Sequence, residues 1–493
     1  MKSARLILLL FVSGLVACGG GGGGGGSNAT GGGNPAGQAN PFRGVWTSSA
    51  NGESYSIEGD VVRRYQHDSQ FCLVAETFGD VGATELQATF TLSHNNQQLA
   101  IKDSDGPPQL HAPIVHYNKA DALPPQCDYP IAKRGEAGYQ RNPVRDLELF
   151  GQTFSEHYVS FERKGIDWEA SLAAALASVS TNTSDTELME VIYELTLPLA
   201  DAHVHVSSEE LGGFSADGKP TLVARLIAQY MQSNNLSEPL LPSSIDALNH
   251  YISEQLSLRE AILFSYAEDD VVKAAANDNL RWFTVDNIAY LYIGAMTGFA
   301  GTQDDASAEL TALEQALDRI MSDIQDAEGL IIDIRSNNGG RDFLSMAIAS
   351  RFISSETLGF SKQSREGSHS SELEEVYIAP RGSHQYLGPI ALLTSNSTVS
   401  AAEVFALMMR SLPNVTLVGE STQGALSDAL QKVMPNGFTF SLSNQYYFDA
   451  SGEWFEHTGI PVDIEVPYFT QQERDETVDL GLETAYAFLV GQD

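Results

Sequence analysis

The chain has 493 residues, of which 42% are hydrophobic and 19% are charged, a composition typical of globular proteins. At this length several domains are expected. The formal net charge of −36 opposes binding to nucleic acid and to anionic lipid surfaces, because proteins that bind phosphate groups carry an excess of lysine and arginine.

The N-terminus, residues 1–18, predicts an export signal. Lys2 and Arg5 precede the apolar run LILLLFVSGLVA (6–17), which is too short to cross a bilayer as a permanent helix. The run ends in LVAC, which resembles a bacterial lipobox and so implies cleavage before Cys18 and lipidation of its thiol. A plain secretory signal is the alternative, and either signal gives an exported protein. The lipobox implies a protein held by its lipid alone in the bacterial cell envelope, at the outer membrane facing the periplasm or the cell surface.

Residues 19–40 predict a flexible linker. Eight consecutive glycines are followed by SNATGGGNPAGQAN, a composition that cannot bury a core. A flexible chain of this length reaches on the order of 25 Å. The mature protein would therefore hang from a membrane without crossing it.

Residues 41–135 predict a small β-rich domain. Short alternating segments are separated by turn residues and read as strands. These segments are GVWTS, SYSIEG, VVRRYQH, FCLVAETF, LQATFTLS and QLAIKDS. Cys72 and Cys127 both lie in this region and are the only cysteines besides Cys18. A single remaining pair in an exported protein is most simply a disulfide, which would close the domain on itself.

Helical patterns fill residues 143–285. The segments RDLELFGQTFSEHYVSF, DWEASLAAALASV and DTELMEVIYELTLPLA carry apolar residues at helical spacing and predict a helical subdomain over 143–205. Residues 206–285 hold further helices with no metal or phosphate motif, and they are predicted to form a helical insertion.

Residues 286–493 alternate between strand-like and helical segments, the pattern of an α/β layered domain with buried strands. The strand-like segments are NIAYLYIGAM (287–296), GLIIDIRS (329–336), GPIALLTS (388–395) and VTLVGES (415–421). Helical runs at 306–327, 343–354 and 401–411 separate them, a hairpin-like stretch turns at Asn436-Gly437, and a helix over 471–489 closes the chain.

Ser400 lies where a strand turns into a helix, in the stretch NSTVSAAEVFA (396–406). Ser400 and Glu403 also have the spacing of a capping box, and most Ser-x-x-Glu strings are caps. A nucleophilic serine needs in addition a base, an orienting acid and donors for the developing oxyanion. The choice between cap and nucleophile therefore depends on other parts of the chain.

Three other segments could supply these groups. The strand-to-glycine stretch IIDIRSNNGGRD could offer a backbone N–H from Gly339 or Gly340, and the helix start could offer that of Ala401. In DAHVHV, His203 and His205 share a face if the segment is a strand. The pair could bind a metal, but no third ligand has a recognisable spacing, and no metal is predicted.

The third segment is GEWFEHTGIPVDIEVP (452–467), in which Glu456 precedes a Gly-Ile-Pro turn. A loop position of this kind is able to point into a cleft. Taken alone the signal is weak, because most glutamates are solvated.

Together these segments resemble the C-terminal-processing (tail-specific) serine peptidases, on the branch that includes the tricorn core protease. The matching pieces, in the family's order, are FERKGIDWEA, LADAH, NIAYLYI, LIIDIRSNNGG, LLTSNSTVSAAEVFA, LVGESTQGALSD and WFEHTGIPVD. The resemblance covers residues 143–470. It implies a multidomain chain with a crotonase-like α/β peptidase core, preceded by a helical domain and by the small β domain.

The resemblance also implies roles for single residues. Ser400 falls on the nucleophile, His203 on the general base and Glu456 on the acid that orients the base. Ala401 and the Gly339/Gly340 turn fall on the oxyanion donors.

Two departures from the family pattern matter. The processing-protease branch has a lysine base after a Thr-x-Gly segment, and Ala425 occupies that place here. The His–Glu arrangement must then carry the chemistry. The chain also has no PDZ-like segment, which many relatives use to dock the C-termini of substrates.

The sequence thus predicts an exported, lipid-anchored serine endopeptidase that acts on peptides or proteins through an acyl-enzyme, with no cofactor and no nucleic-acid partner. The main rival is a catalytically weak or inactive peptidase-like module that binds a ligand. A second rival is an esterase that uses the same triad.

Overall fold

The computed structural model of the protein describes residues 40–93, 95–101, 110, 115–216, 218–237, 240–301 and 305–491. The predicted export signal, Cys18 and the linker up to residue 39 lie outside the described residues. Within the described ranges, no helix has the length and the apolar composition needed to cross a bilayer.

The N-terminal region forms one antiparallel sheet of seven strands, in the order β4-β3-β2-β1-β7-β6-β5. Its elements are β1 (Gly44–Ser48), β2 (Glu53–Glu58), β3 (Val61–His67), β4 (Cys72–Phe78), α1 (Ala83–Thr89), β5 (Phe90–Leu92), β6 (Gln98–Ile101) and β7 (His116–Ala120). The prediction of a β-rich domain is confirmed in these strands. The prediction of a strand at LQATFTLS is wrong for the first half of that segment, which lies in α1. Strong helix formers favour this helix, and so does the Glu85 carboxylate, which accepts from the Gly82 N–H.

The predicted disulfide is confirmed. Cys72 begins β4, Cys127 lies in a short 3-10 turn (Pro125–Asp128), and their Cα atoms are 5.0 Å apart. Both cysteines are buried beside Tyr65. The bridge therefore fastens the end of the region to its sheet.

Four helices follow: α2 (Pro143–His157), α3 (Phe161–Lys164), α4 (Trp168–Ser178) and α5 (Asp185–Thr196). Ser184 and Glu187 form the predicted capping box at the start of α5, with the Glu187 N–H donating to Ser184 Oγ at 3.2 Å. Phe154 stacks on Trp168, and Phe150 packs on Phe440 from the C-terminal hairpin. The helices thus share a core with the region that carries the candidate site.

Residues 206–285 are not purely helical, and the prediction of a helical insertion is wrong at both ends. The elements are β8 (Asp201–Ser208), β9 (Gly212–Ala216), α6 (Leu222–Ser233), α7 (Pro242–Phe264), β10 (Lys273–Ala275) and β11 (Leu280–Val285). The strands at both ends form through pairing with distant segments, which local periodicity does not reveal. Only α6 and α7 correspond to the predicted helices.

The C-terminal region is an α/β domain. Its elements are β12 (Ile288–Ile293), α8 (Ala306–Ile324), β13 (Gly329–Asp333), α9 (Asp342–Ala349), β14 (Thr357–Glu366), β15 (His369–Ser370), β16 (Glu374–Ile378), β17 (Ile390–Thr394), α10 (Ala401–Met409), β18 (Val415–Gly419), β19 (Ala429–Val433), β20 (Thr439–Ser443), β21 (Gln445–Phe448), β22 (Ile464–Glu465), α11 (Gln471–Glu476) and α12 (Leu480–Val490). The four predicted buried strands and three predicted helices are confirmed. The predicted C-terminal helix is instead two helices, because Thr477 adopts a φ of +55°.

The central sheet has the order β10-β11-β12-β13-β17-β18-β22, and its strands from β12 onward are parallel. Leu330 and Ile332 face a core shared with α8, α9 and α10, whereas Ile331 faces α12. Burial on both faces explains why these strands are continuous apolar runs. The loops that follow β13 and β17 leave the same edge of the sheet, and Ser400 ends the second of them.

Two smaller sheets complete the domain. One has the order β19-β20-β8-β9, and the other pairs β14 with β15, β16 and β21. Because β8 joins the hairpin of β19 and β20, it brings His203 into the C-terminal region. The β domain contacts the same hairpin, since Val433 N–H donates to Gln66 Oε1 at 2.9 Å.

The disulfide generates a stability prediction. Replacing both Cys72 and Cys127 by serine should lower the free energy of unfolding of the β domain by about 4 kcal/mol, because the bridge closes a long loop. Thermal unfolding measures the loss, with Cys18→Ser as the matched control. An unchanged melting temperature in the double variant would contradict the prediction.

Candidate active site

Ser400 occupies a strained turn between β17 and α10. Its φ of +58° and ψ of −129° lie outside the regions that residues with a Cβ ordinarily adopt. The Ser400 N–H donates to the Ala425 carbonyl at 3.0 Å and to Glu403 Oε2 at 3.3 Å. The hydroxyl makes no side-chain capping hydrogen bond. The Ser400 hydroxyl is therefore not committed to a cap.

The Ala401 N–H, at the helix start, is one of the predicted oxyanion donors. No described residue accepts a hydrogen bond from the Ala401 N–H, as expected for the first N–H of a helix. The glycine turn after β13 lies against it. A Cβ at Gly339, whose φ is +96°, would be 2.7 Å from Ser400 Cβ and 3.1 Å from Ala401 N. Glycine is therefore required for this close approach.

The second predicted oxyanion donor, the N–H of Gly339 or of Gly340, stays a prediction. In the structure the Gly339 N–H donates to Asn337 Oδ1 at 2.9 Å. Gly340 is needed for a different contact, because a Cβ there would lie 2.1 Å from the Met296 carbonyl oxygen. The turn thus shapes the space beside Ser400, and Ala401 is the member of the predicted set whose N–H is uncommitted.

Glu403 is the residue whose importance the sequence did not reveal. It is fully buried, and its Oε1 accepts from the Gly424 N–H at 2.7 Å while its Oε2 accepts from the Ala425 N–H at 2.8 Å. Burial raises the pKa of Glu403 to about 7, against the lowering effect of these donors. The capping-box spacing correctly placed Glu403 at the helix start but gave no sign of its contacts with the 424–425 loop.

His203 lies in a bulged part of β8, where the pairing with β9 shifts between Asp201 and His205. Asp201 Oδ1 accepts from the His203 N–H at 2.9 Å, and Ser441 Oγ donates to the His203 carbonyl at 2.7 Å. The ring Nδ1 is buried and has no described partner. A bulge re-aims a side chain out of the regular alternation, so His203 and His205 are not equivalent.

Burial lowers the pKa of His203, and the negative charges of Asp201 and Asp428 oppose that effect. Asp428 is itself held by Lys362 Nζ at 3.1 Å. A neutral imidazole is the form that can accept a proton. Sequence reasoning did not select Asp428, because nothing in its local pattern distinguishes it from a solvated aspartate.

The structure does not join Glu456 to His203 by a hydrogen bond. The Glu456 carboxylate is fully buried, and its Oε2 accepts from the Leu426 N–H at 2.9 Å and the Ser427 N–H at 3.1 Å. Its Oε1 has no described partner. Burial raises the pKa of Glu456 well above its ordinary value, and the charges of Asp201 and Glu403 add to the rise.

Two lysines near the candidate site are structural. Lys219 Nζ donates to Ser421 Oγ at 2.9 Å, to the Thr422 carbonyl at 2.6 Å and to the Thr458 carbonyl at 2.7 Å. Those three bonds use every N–H of the ammonium group, so it has no role as a base while they persist. Lys432 is buried at the β domain, where it donates to the Asn51 and Gly52 carbonyls.

Among the described residues, no group of three or more histidine, cysteine, aspartate or glutamate side chains is placed to hold a metal ion. What the structure brings together is Ser400, the Ala401 N–H, the Gly339 turn and the 424–428 loop. His203 lies in the neighbouring sheet, where the charge of Asp428 acts on its ring, and no described hydrogen bond joins that ring to Ser400.

Comparison with known proteins shows what the region around Ser400 is similar to. Residues 287–466 match the family model described as Peptidase family S41. The chain is 28% identical over 178 residues to the carboxy-terminal processing protease CtpA of Bacillus subtilis, a match covering 36% of this chain and 35% of that protein. It is 27% identical over 176 residues to the nisin-resistance protein of Lactococcus lactis, covering 34% and 54%.

A third relative, the tail-specific protease of Haemophilus influenzae, is 26% identical over 191 residues, covering 37% of this chain and 25% of that protein. The matches thus span from a quarter to about half of the relatives' lengths. The crystal structure of a candidate peptidase from Parabacteroides merdae has a TM-score of 0.55 and 22% identity, covering 71% of this chain and 97% of the other, and it shares the fold.

The matched region contains Ser400, Glu403 and Glu456, whereas His203 lies before it. These findings support peptidase family S41, a family of serine-type peptidases, for residues 287–466 of this chain.

Proposed function

We propose that the protein is a serine endopeptidase that hydrolyses peptide bonds through an acyl-enzyme, with Ser400 as the nucleophile. The observation that carries the proposal is the strained strand-to-helix turn, which holds an uncapped hydroxyl beside the uncommitted Ala401 N–H. The resemblance to the tricorn-like branch, with its crotonase-like core, agrees with this assignment.

The proposed chemistry uses His203 as general base. Its neutral imidazole takes the proton of the Ser400 hydroxyl as the oxygen attacks the peptide carbonyl carbon. The carbonyl oxygen becomes an oxyanion and receives a hydrogen bond from Ala401. The imidazolium then gives its proton to the leaving amine, and a water molecule, deprotonated in turn by His203, releases the acyl group.

The acidic partners of His203 have separate tasks in this proposal. The charges of Asp201 and Asp428 favour the imidazolium that forms during attack. Glu456 remains the predicted orienting acid, and its hydrogen bonds to Leu426 and Ser427 support a role in fixing the loop between Ser400 and the sheet of His203.

The cellular setting is also proposed. The apolar N-terminal run and the lipobox-like LVAC support export and anchoring of the envelope protein through lipid on Cys18. The peptide or protein substrates would then be those that reach the periplasmic face of the outer membrane or the cell surface.

Ser400→Ala should abolish peptide hydrolysis and fluorophosphonate labelling while the protein remains folded. Loss of a nucleophile costs several orders of magnitude in kcat, whereas loss of a cap costs about 1 kcal/mol of stability. Ser411→Ala, just beyond the same helix, is the matched control. An active but less stable Ser400→Ala protein would reinstate the cap interpretation, and hydrolysis of esters alone by the native protein would favour the esterase.

The pH dependence of kcat/KM should report His203. Because burial lowers its pKa from 6.5, the base is neutral above that lowered pKa, and activity should persist at pH 6.5 and fall only at lower pH. Asp428→Asn removes a charge that favours protonation of His203, so the acidic limb of the pH profile should move to still lower pH.

His203→Ala should nearly abolish activity, with His205→Ala as control. A limb above pH 6.5, or an active His203→Ala protein, would reassign the base.

Glu403→Gln should weaken catalysis more than its effect on folding explains. Glutamine keeps the size but loses one acceptor, which costs about 1–3 kcal/mol of stability and releases part of the 424–425 loop from Ser400. Unfolding and kcat are measured together. Glu309→Gln is the control, because Glu309 is equally buried and accepts from the Phe299 and Ala300 N–H groups away from the site. Equal kcat values in the two variants would contradict the positioning role.

A further inference from the structure

A cavity of about 230 Å³ lies between α6 and the segment 468–474. One wall is apolar and includes Leu222 and Leu226 from α6, both buried, together with Phe469. Two arginines, Arg225 and Arg474, line the same space. The combination of an apolar wall with guanidinium groups is typical of a pocket for a small anionic ligand.

Arg474 is a buried cation without an acidic partner among the described residues. Its side chain donates only to amide oxygens, from Nη1 to Gln255 at 3.0 Å and from Nη2 to Gln229 at 2.6 Å and Gln471 at 2.9 Å. The residue is 7% exposed, and its buried Nε–H has no described acceptor. Phe469 faces the guanidinium at 5.4 Å.

The contrast with the other deeply buried arginines is informative. Arg335 pairs with Asp333 and Asp479, and Arg351 pairs with Asp318. In a chain with 64 acidic and 28 basic residues, a carboxylate partner would be easy to supply. A buried charge ordinarily requires an opposite charge, so the environment of Arg474 lacks an anion.

Arg225 lines the same cavity, but its charge is already neutralised. Its Nη1 and Nη2 bind the Glu420 carboxylate at 2.7 Å and 3.2 Å. Its Nε–H, like that of Arg474, is buried out of reach of a molecule in the cavity. The cavity therefore offers the positive charge of Arg474, which no carboxylate of the described residues neutralises.

We propose that this cavity binds a carboxylate carried by a peptide beside an apolar side chain, with Arg474 as the residue that receives the carboxylate. A carboxylate matches guanidinium geometry and charge. A cavity of this volume has room for a short peptide end. That the ligand is a peptide rests on the proposed peptidase function. That the ligand is an anion follows from Arg474 alone.

The cavity is coupled to the nucleophile turn. The Leu222 N–H donates to Ser397 Oγ at 2.8 Å, three residues before Ser400. Glu420, which holds Arg225, also accepts from the Asn396 N–H at 3.4 Å. A peptide held here therefore lies against the wall of the turn that presents Ser400.

Binding is tested in Ser400→Ala protein, so that no peptide is consumed. Calorimetry measures the binding of three peptides. The first is acetyl-Ala-Ala-Leu with its C-terminal carboxylate free, the second is the same peptide with an amidated C-terminus, and the third is an amidated peptide whose last residue is glutamate. The free peptide should bind, and its amide should bind about tenfold or more weakly, because one charge-assisted hydrogen-bonded pair is lost. Binding of the glutamate amide would assign the carboxylate to an acidic side chain, and its failure would assign it to a C-terminus.

Variants at the cavity locate the effect. Arg474→Gln should weaken the carboxylate peptide about tenfold or more, and Arg474→Lys should restore part of the affinity. Gln229→Glu keeps the fold by giving Arg474 an internal partner and should also abolish binding. Arg43→Gln, an exposed change of equal charge in the β domain, should leave binding unchanged.

Two results would overturn the proposal. One is no binding of either carboxylate peptide up to about 1 mM. The other is equal binding in the native-cavity, Arg474→Gln and Gln229→Glu proteins. If the native enzyme hydrolyses peptides but gives either of these results, the proposed peptidase function stands and the binding role of the cavity is rejected. If binding depends on Arg474 but no peptide is hydrolysed, the binding role stands and the peptidase function is rejected.

Discussion

The buried Glu403 carboxylate is the contact on which the site depends. It accepts hydrogen bonds from Ser400, Gly424 and Ala425, so one side chain fixes the Ser400 turn and the loop that lies opposite. Burying a carboxylate is costly, and these backbone N–H groups offset the cost only while both loops keep their positions. The strained φ of Ser400 persists for the same reason, because several surrounding hydrogen bonds together hold the backbone in that conformation.

Glu456 is a second buried carboxylate that accepts from backbone N–H groups of the same loop, those of Leu426 and Ser427. Two buried carboxylates thus hold four successive N–H groups in the loop where relatives of the processing-protease branch carry a lysine and this chain carries Ala425. The loop then connects Ser400, through the Ala425 carbonyl, with Asp428 and the sheet of His203. Acidic side chains in this site act largely as acceptors for the backbone.

The sequence predicted what is encoded locally. The strands β12, β13, β17 and β18 are apolar runs that are buried on both faces, and the Ser400–Ala401 turn joins two such elements directly. Pairing between distant segments was not predictable, so the strands at both ends of 206–285 were missed. Likewise, local spacing placed Glu403 in a capping box but could not show which loop its carboxylate meets. The N–H of Gly339 or Gly340 was predicted as an oxyanion donor, and local spacing could not show that Asn337 Oδ1 accepts from the Gly339 N–H.

The β domain lies outside the family match, yet it contacts the scaffold of the proposed base. Lys432, in β19, is buried with its ammonium on the Asn51 and Gly52 carbonyls and 3.8 Å from Glu53. The neighbouring strand β20 carries Ser441, whose hydroxyl donates to the His203 carbonyl. Removal of the β domain would leave the Lys432 ammonium without these partners, beside the strand that positions His203. The position of His203, the proposed base, therefore depends on a region that carries none of the predicted catalytic residues.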